Sequence, residues 1–404
     1  MKSIGKFLSH SARTLKRSAL REILKLLDKP GMISFAGGLP SPETFPVDDL
    51  RDIVAEVLEK EGQSALQYST TEGDPLLRKL LVERYARAGV SLEIENLVIV
   101  TGSQQGLDIL ARIFIDPGDY IICGLPSYLG GINAFLTYGA KMKGIPLDRE
   151  GMIPSELEKS ISTLQSLGRK VKFIYIIPDF QNPAGITMPE SRRLEVIEIA
   201  EKYDILIVED SPYREIRFEG EPQRLMFDLD KYRRVITLGT FSKIFAPGFR
   251  VGWVMADNVI IDRIVMAKQT ADLCTSAFLQ RILARYIEKG FLEKNIPGTI
   301  ALYRERRDHM QACFRKFLPE EIKWTVPQGG LFIFLTLPPG IDTNEILKKA
   351  VERNVAFVSG ATFYCNDSGH NTMRINFSYS SNEDIEKGVE RLSHVIREEL
   401  ETKC

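Results

Sequence analysis

Hydrophobic residues along this chain gather into short apolar runs separated by longer stretches with helical spacing. Residues 97–100, 120–122, 173–177, 205–208, 235–238 and 251–255 each read as a strand buried on both faces. Helical patterns lie between them. One covers 106–115, after a turn at Gly102-Ser103-Gln104-Gln105. Another runs to Tyr203, opened by Thr187 and Glu190 as a capping box. Earlier in the chain, 47–60 and 76–88 read as helices joined by a polar loop that carries Gln67-Tyr68-Ser69. Apolar strands alternating with helices predict an α/β fold, a mostly parallel central sheet with helices on both faces.

The pattern changes after a helical region ending near Phe317. Short strands at 331–335, 355–358 and 373–377 accompany a helix at 344–353. In the closing helix Ile385, Val389, Leu392, Ile396 and Leu400 form one stripe, and Ser381 with Asp384 caps its start. At the other end, Leu20, Ile23, Leu24 and Leu27 have helical spacing, and Pro30-Gly31 stops that run. The expected division is a large domain over 46–305, and a smaller α+β domain built from 306–404 together with 1–45.

Bulk properties narrow the function. A chain of 404 residues is too long for one simple core. Lys and Arg number 53 against 54 Asp and Glu, so no basic excess argues for nucleic acid or an anionic membrane. The five cysteines are scattered and the four histidines dispersed, which suits packing thiols in a reducing compartment and argues against a zinc site. The first residues include lysines but no apolar run long enough for a signal peptide or membrane span. The expected location is the cytoplasm.

The polar residues at the strand ends carry the candidate chemistry, because ligands of such sheets bind at the carboxyl ends of the strands. They are Ser103 and Gln104 at a helix N-terminus, Tyr128 after Pro126-Ser127, Asn182 in Gln181-Asn182-Pro183, and Asp210 and Tyr213 in Glu209-Asp210-Ser211-Pro212-Tyr213. Last comes Thr240-Phe241-Ser242-Lys243, followed by Arg250. Each has a plain structural alternative: a helix cap, a core tyrosine, an Asn-Pro turn or a solvated loop lysine. Together they put an anion cradle, a stacking ring, an amide, a carboxylate, a phenol and an amine on one edge. A low dielectric and a nearby arginine both favour the neutral, nucleophilic form of that amine. The set suits a planar phosphorylated aldehyde with a basic ring nitrogen.

The segment Ser242-Lys243-Ile244-Phe245-Ala246-Pro247-Gly248-Phe249-Arg250-Val251-Gly252 resembles the lysine motif of the fold-type I, pyridoxal-phosphate-dependent class I/II aminotransferases. The resemblance extends from Phe35-Ala36-Gly37-Gly38-Leu39-Pro40 to Arg374. Through Gln67-Tyr68-Ser69, Thr101-Gly102-Ser103-Gln104-Gln105 and Phe180-Gln181-Asn182-Pro183, it is most similar to the 2-aminoadipate, aromatic and kynurenine branch. It implies that Lys243 holds the cofactor as a Schiff base and moves the substrate proton, while Asp210 pairs with the ring nitrogen. Asn182 and Tyr213 are then expected at the phenolic oxygen, Tyr128 against the ring, and Ser103, Gln104, Ser242, Arg250 and Thr240 at the phosphate. It also implies a homodimer with shared sites in which Tyr68 reaches across the interface. Arg374, with the Gly38 backbone and Asn182, is expected to clamp the substrate α-carboxylate. Arg21 is expected at a distal carboxylate, which suggests 2-oxoglutarate as one partner in a ping-pong exchange. A lyase on the same cofactor is a second reading. A ligand-sensing regulator with an aminotransferase-like module is a third, and too few residues precede Pro30 to build its DNA-binding domain.

Overall fold

A computed structural model describes residues 4–9, 12 and 31–403. The chain begins its regular structure with β1 (Ile33–Ser34), α1 (Val47–Ala65) and α2 (Pro75–Arg87). Then strands and helices alternate: β2 (Leu97–Val100), α3 (Gly102–Phe114), β3 (Tyr120–Leu125), α4 (Leu129–Thr137), β4 (Lys141–Asp148) and β5 (Gly151–Met152). The alternation continues through α5 (Pro154–Ser166), β6 (Val171–Ile176), α6 (Glu190–Lys202), β7 (Leu206–Asp210), α7 (Met226–Leu229), β8 (Val235–Thr240) and β9 (Gly252–Met255). Three helices follow, α8 (Asn258–Gln269), α9 (Ala277–Glu288) and α10 (Phe291–Phe317). The last part holds β10 (Lys323–Trp324), β11 (Phe332–Thr336), α11 (Thr343–Glu352), β12 (Val355–Ala356), β13 (Val358–Ser359), β14 (Thr372–Asn376) and α12 (Asn382–Lys403).

Strands β2 to β9 form one eight-stranded sheet in the order β2-β9-β8-β7-β6-β3-β4-β5. The central run β8-β7-β6-β3-β4 is parallel throughout. Only β9 and the short β5 run against their neighbours. Alternate residues feed two cores. Ile122, Ile174, Ile207 and Val235 face one cluster, and Ile121, Phe173, Tyr175, Val208 and Ile236 the other. A strand that buries both faces has no polar alternation, and for that reason these segments are continuous apolar runs. The sheet is therefore the mostly parallel, helix-covered one expected.

A second, antiparallel sheet has the order β10-β11-β14-β13. Beside it β1 pairs in parallel with β12, Ile33 opposite Val355, so an early segment joins elements from the end of the chain. Among the described residues no helix is long and apolar enough to cross a membrane.

Some local expectations need correction. Gly102 to Gln105 is the first turn of α3, since the helix begins directly after β2. The capping box at Thr187 and Glu190 does not form. The chain stays extended through Pro189 (φ −68°, ψ 158°), the helix starts at Glu190 itself, and Thr187 Oγ1 is buried with no partner. A carboxylate at the first helical position is too early to reach back to the cap. By contrast Ser381 caps as expected, accepting from Asp384 N at 3.1 Å and donating to its carboxylate at 2.9 Å. The four described cysteines are free, although Cys123 and Cys365 pack with their sulfurs 3.8 Å apart.

Candidate active site

The lysine segment turns sharply after β8, closed by Phe245 N donating to the Phe241 carbonyl at 3.0 Å. Phe241, Ile244 and Phe245 are buried, with Phe241 tilted on Trp253 and Phe245 on Tyr286, each pair at 4.8 Å. These anchors leave Lys243 facing the cleft, where its Nζ donates to the Gly38 carbonyl at 2.7 Å. Desolvation, helped by the Arg374 and Arg250 charges, pulls the amine down to about 8. A substantial neutral fraction near physiological pH is what a nucleophilic amine needs.

Asp210 is the last residue of β7 and is buried. Its Oδ2 accepts from the Tyr175 hydroxyl at 2.8 Å, while Oδ1 is buried with no partner. Burial raises the carboxyl to about 6 and the Tyr175 bond works against that rise. Asn182 and Tyr213 meet across the same cleft, the amide donating to the phenol oxygen at 3.2 Å. The Asn182 turn is anchored from below by the buried ion pair of Arg193 with Asp179 at 2.8 Å. It is also held by Gln181, which donates to the Pro126 carbonyl at 2.8 Å.

The anion cradle is built by two glycines. Gly102 has φ +71°, and a Cβ there would collide with the Arg250 guanidinium. A Cβ on Gly252 would lie 2.8 Å from Ser103 N. Only residues without side chains let the α3 N-terminus, the lysine segment and Arg250 approach this closely. Arg250 takes a left-handed conformation (φ 53°) and its Nη1 lies 3.4 Å from Ser242 Oγ. Thr240 Oγ1 donates to Ser242 Oγ at 2.9 Å and lies 3.3 Å from the Val251 carbonyl. Gln104 bridges to the Tyr128 segment, donating to the Gly130 carbonyl at 3.1 Å and accepting from the Tyr128 hydroxyl at 3.3 Å.

Arg374 enters from β14 of the second sheet. It lies buried between the Phe332 and Phe363 rings, 4.2 and 4.9 Å from their centroids. Its Nη1 donates to Asn182 Oδ1 at 3.0 Å and its Nη2 to the Ala36 carbonyl at 2.6 Å, while Nε has no partner. Ser103, Gln104, Tyr128, Asn182, Asp210, Tyr213, Thr240, Ser242, Lys243, Arg250, Gly38 and Arg374 thus collect around one cleft. Tyr68 does not join them within this chain; the residue is 77% exposed beyond α1. Arg21 lies outside the described residues. Tyr175 was not anticipated, although a phenol inside the buried run of a strand needs a hydrogen-bond partner and so marks one nearby.

The family model described as aminotransferase class I and II matches residues 33–392. The chain belongs to that family. The aminotransferase is 48% identical, over 98% of its own length and 95% of the relative's, to aromatic-amino-acid aminotransferase 1 of Thermococcus litoralis. It is 36% identical to 2-aminoadipate transaminase of Thermus thermophilus, over 96% of its length and 95% of the relative's. Among solved structures it superposes with TM-score 0.95 and 45% identity on Pyrococcus horikoshii kynurenine aminotransferase, which was determined with PMP. That match covers 99% of both chains. The class is one of pyridoxal-phosphate-dependent transferases, and the cleft fits that cofactor on its own terms. An orphaned buried carboxylate oxygen, a glycine-lined cradle beside a guanidinium and a desolvated amine are complementary to its ring nitrogen, phosphate and aldehyde.

Proposed function

We propose that this enzyme moves an amino group between an aromatic, kynurenine-like or 2-aminoadipate-like L-amino acid and 2-oxoglutarate, in two half-reactions on one cofactor. The observation that carries this reading is the placement of Lys243, Asp210 Oδ1 and Arg374 around one cleft, with unused bonding capacity on the acid and the guanidinium. Pyridoxal phosphate, when bound, supplies an electron-withdrawing ring that delocalises the charge left at the amino acid Cα.

The chain's own residues do the rest. Lys243 would anchor the aldehyde and, once displaced by the incoming amine, would take the proton from Cα and deliver it across the intervening nitrogen to the carbon that had been the aldehyde. Asp210 presents its free Oδ1 to the ring nitrogen and keeps that nitrogen protonated. Asn182 and Tyr213 hydrogen-bond the phenolic oxygen and favour its anionic form. Tyr128 lies against the ring. The phosphate is held by Ser103, Gln104, Ser242 and Arg250, with Thr240 orienting Ser242. Arg374 receives the α-carboxylate through Nε and its remaining N–H groups, with Asn182 and the Ala36 carbonyl holding the fork in place. Tyr68 serves the phosphate of the partner site in a homodimer, and Arg21 meets the distal carboxylate of acidic substrates.

Purified enzyme given a panel of amino acids with 2-oxoglutarate tests the exchange. Glutamate should form fastest from aromatic or 2-aminoadipate-like donors, with parallel double-reciprocal plots. Intersecting plots, or no glutamate from any donor, would reject the reading. Arg21→Ala should weaken acidic substrates alone; equal losses for apolar ones would remove its assigned role.

A further inference from the structure

The carboxyl of Asp210 has two oxygens in unlike surroundings. Oδ2 accepts from Tyr175 at 2.8 Å, and this is the carboxyl's only hydrogen bond among the described residues. Tyr175 comes from the neighbouring strand β6, where its Cα pairs with Val208 of β7. Its ring is buried and stands edge-on to Phe135 at 5.2 Å and 75°. One turn before Phe135 on the same helix, Gly131 passes so close that a Cβ there would lie 2.8 Å from the ring. The phenol is thus buried and packed close against α4, and the carboxyl it holds cannot rotate without losing its one donor.

We propose that Tyr175 is a positioning residue: by holding Oδ2 it fixes the rotation of Asp210, so that Oδ1 alone faces the ring nitrogen of the bound cofactor, and it stabilises the carboxylate through a charge-assisted hydrogen bond. The proposal rests on the pyridoxal-phosphate reading above. Hydrogen bonds to a charged acceptor are about twice as strong as neutral ones, and a buried carboxylate has no water to replace a lost donor. The Asp210 charge in turn raises the Tyr128 and Tyr213 phenols, and neither hydrogen-bonds it. Burial favours the protonated acid and the Tyr175 bond opposes it. Without the phenol, more of the carboxyl would be protonated near neutral pH and unable to pair with a ring N–H.

The test compares holoenzyme loaded with pyridoxal phosphate and holoenzyme loaded with an analogue whose ring nitrogen is replaced by C–H. The rate of cofactor loss is followed by visible absorbance in wild type and in Tyr175→Phe, which keeps the ring packing. Tyr175→Phe should release pyridoxal phosphate about tenfold faster or more at pH 7. The difference should narrow toward pH 9, where both carboxyls are ionised. Release of the C–H analogue should stay within about twofold of wild type, since nothing there depends on the acid. In a double-mutant cycle, Tyr175→Phe should add no further loss to Asp210→Ala. Equal acceleration for both ligands would show a packing role and overturn the proposal, as would no acceleration for either. Wild type that fails to bind pyridoxal phosphate would instead reject the cofactor reading beneath it.

Discussion

Glu209 and Asp210 are neighbours on β7, both buried, and they do opposite things. Glu209 accepts from Met226 N at 3.0 Å, Phe227 N at 3.3 Å and Thr237 Oγ1 at 2.6 Å, with Arg193 at 3.9 Å. Both of its oxygens are used within the fold. Asp210, one residue on and facing the other way, keeps one oxygen free. Two arginines repeat the contrast. Arg193 places Nε on the Met188 carbonyl, Nη1 on the Arg224 carbonyl and Nη2 on Asp179. Arg374, equally buried, leaves Nε without a partner. A buried charge with every bonding site satisfied holds the fold together. A buried charge with one site left over lowers stability until a partner completes it; Asp179 Oδ2 is such a site within the structural pair, whereas Asp210 Oδ1 and Arg374 Nε are such sites at the cleft, where a ligand can complete them.

The widest separation should appear in turnover. Asp210→Ala is expected to lower kcat by about 10²–10³-fold, the scale of removing a preorganised electrostatic partner. Glu209→Gln should leave kcat within a few-fold in the protein that folds. Steady-state kinetics of the two variants side by side decide whether the two acids differ in kind. Arg374→Ala should reduce kcat/KM for the amino acid by about tenfold to a hundredfold, because a charge-assisted pair is lost. A loss confined to cofactor retention would place Arg374 elsewhere.

Stability should reverse the order. Burial lifts Asp210 from its ordinary 3.8 to about 6. The folded state then prefers the protonated acid, so cofactor-free enzyme loses stability as pH rises from about 4 through 6. Asp210→Asn removes that penalty, and denaturant titration should find cofactor-free enzyme stabilised by up to about 3 kcal/mol above pH 6, with no gain below pH 4. Glu209→Gln should destabilise by about 2 kcal/mol, since it strands buried donors. The smallest effect is kinetic. With Lys243 near 8, its acylation in cofactor-free enzyme should rise through pH 8 and then level off, while exposed lysines keep gaining reactivity toward pH 10.

Strands buried on both faces were legible because little that is polar interrupts them, and the residues at their carboxyl ends follow from where those runs stop. Strand β4, covered on its outer side only by the two-residue β5, was missed. Lys141, Lys143, Pro146 and Asp148 on it are exposed, and an edge needs no continuous apolar run. Non-local pairing was equally hidden. The resemblance groups Arg374 with Asn182, but nothing in the order of residues places it on the Ala36 carbonyl, or the Tyr175 phenol on Asp210, because those contacts depend on how two strands or two sheets meet. The false cap at Thr187 has a local cause: Pro189 keeps the chain extended, so a motif spaced correctly for a helix start never reaches one.

The proposed chemistry depends most on Lys243 being the covalent anchor. Borohydride reduction of the holoenzyme followed by peptide mapping tests it directly. A phosphopyridoxyl group on Lys243 and on no other lysine, absent from Lys243→Ala, is the predicted result. A group mapped to a different lysine, or none in holoenzyme that carries out transamination, would contradict the account.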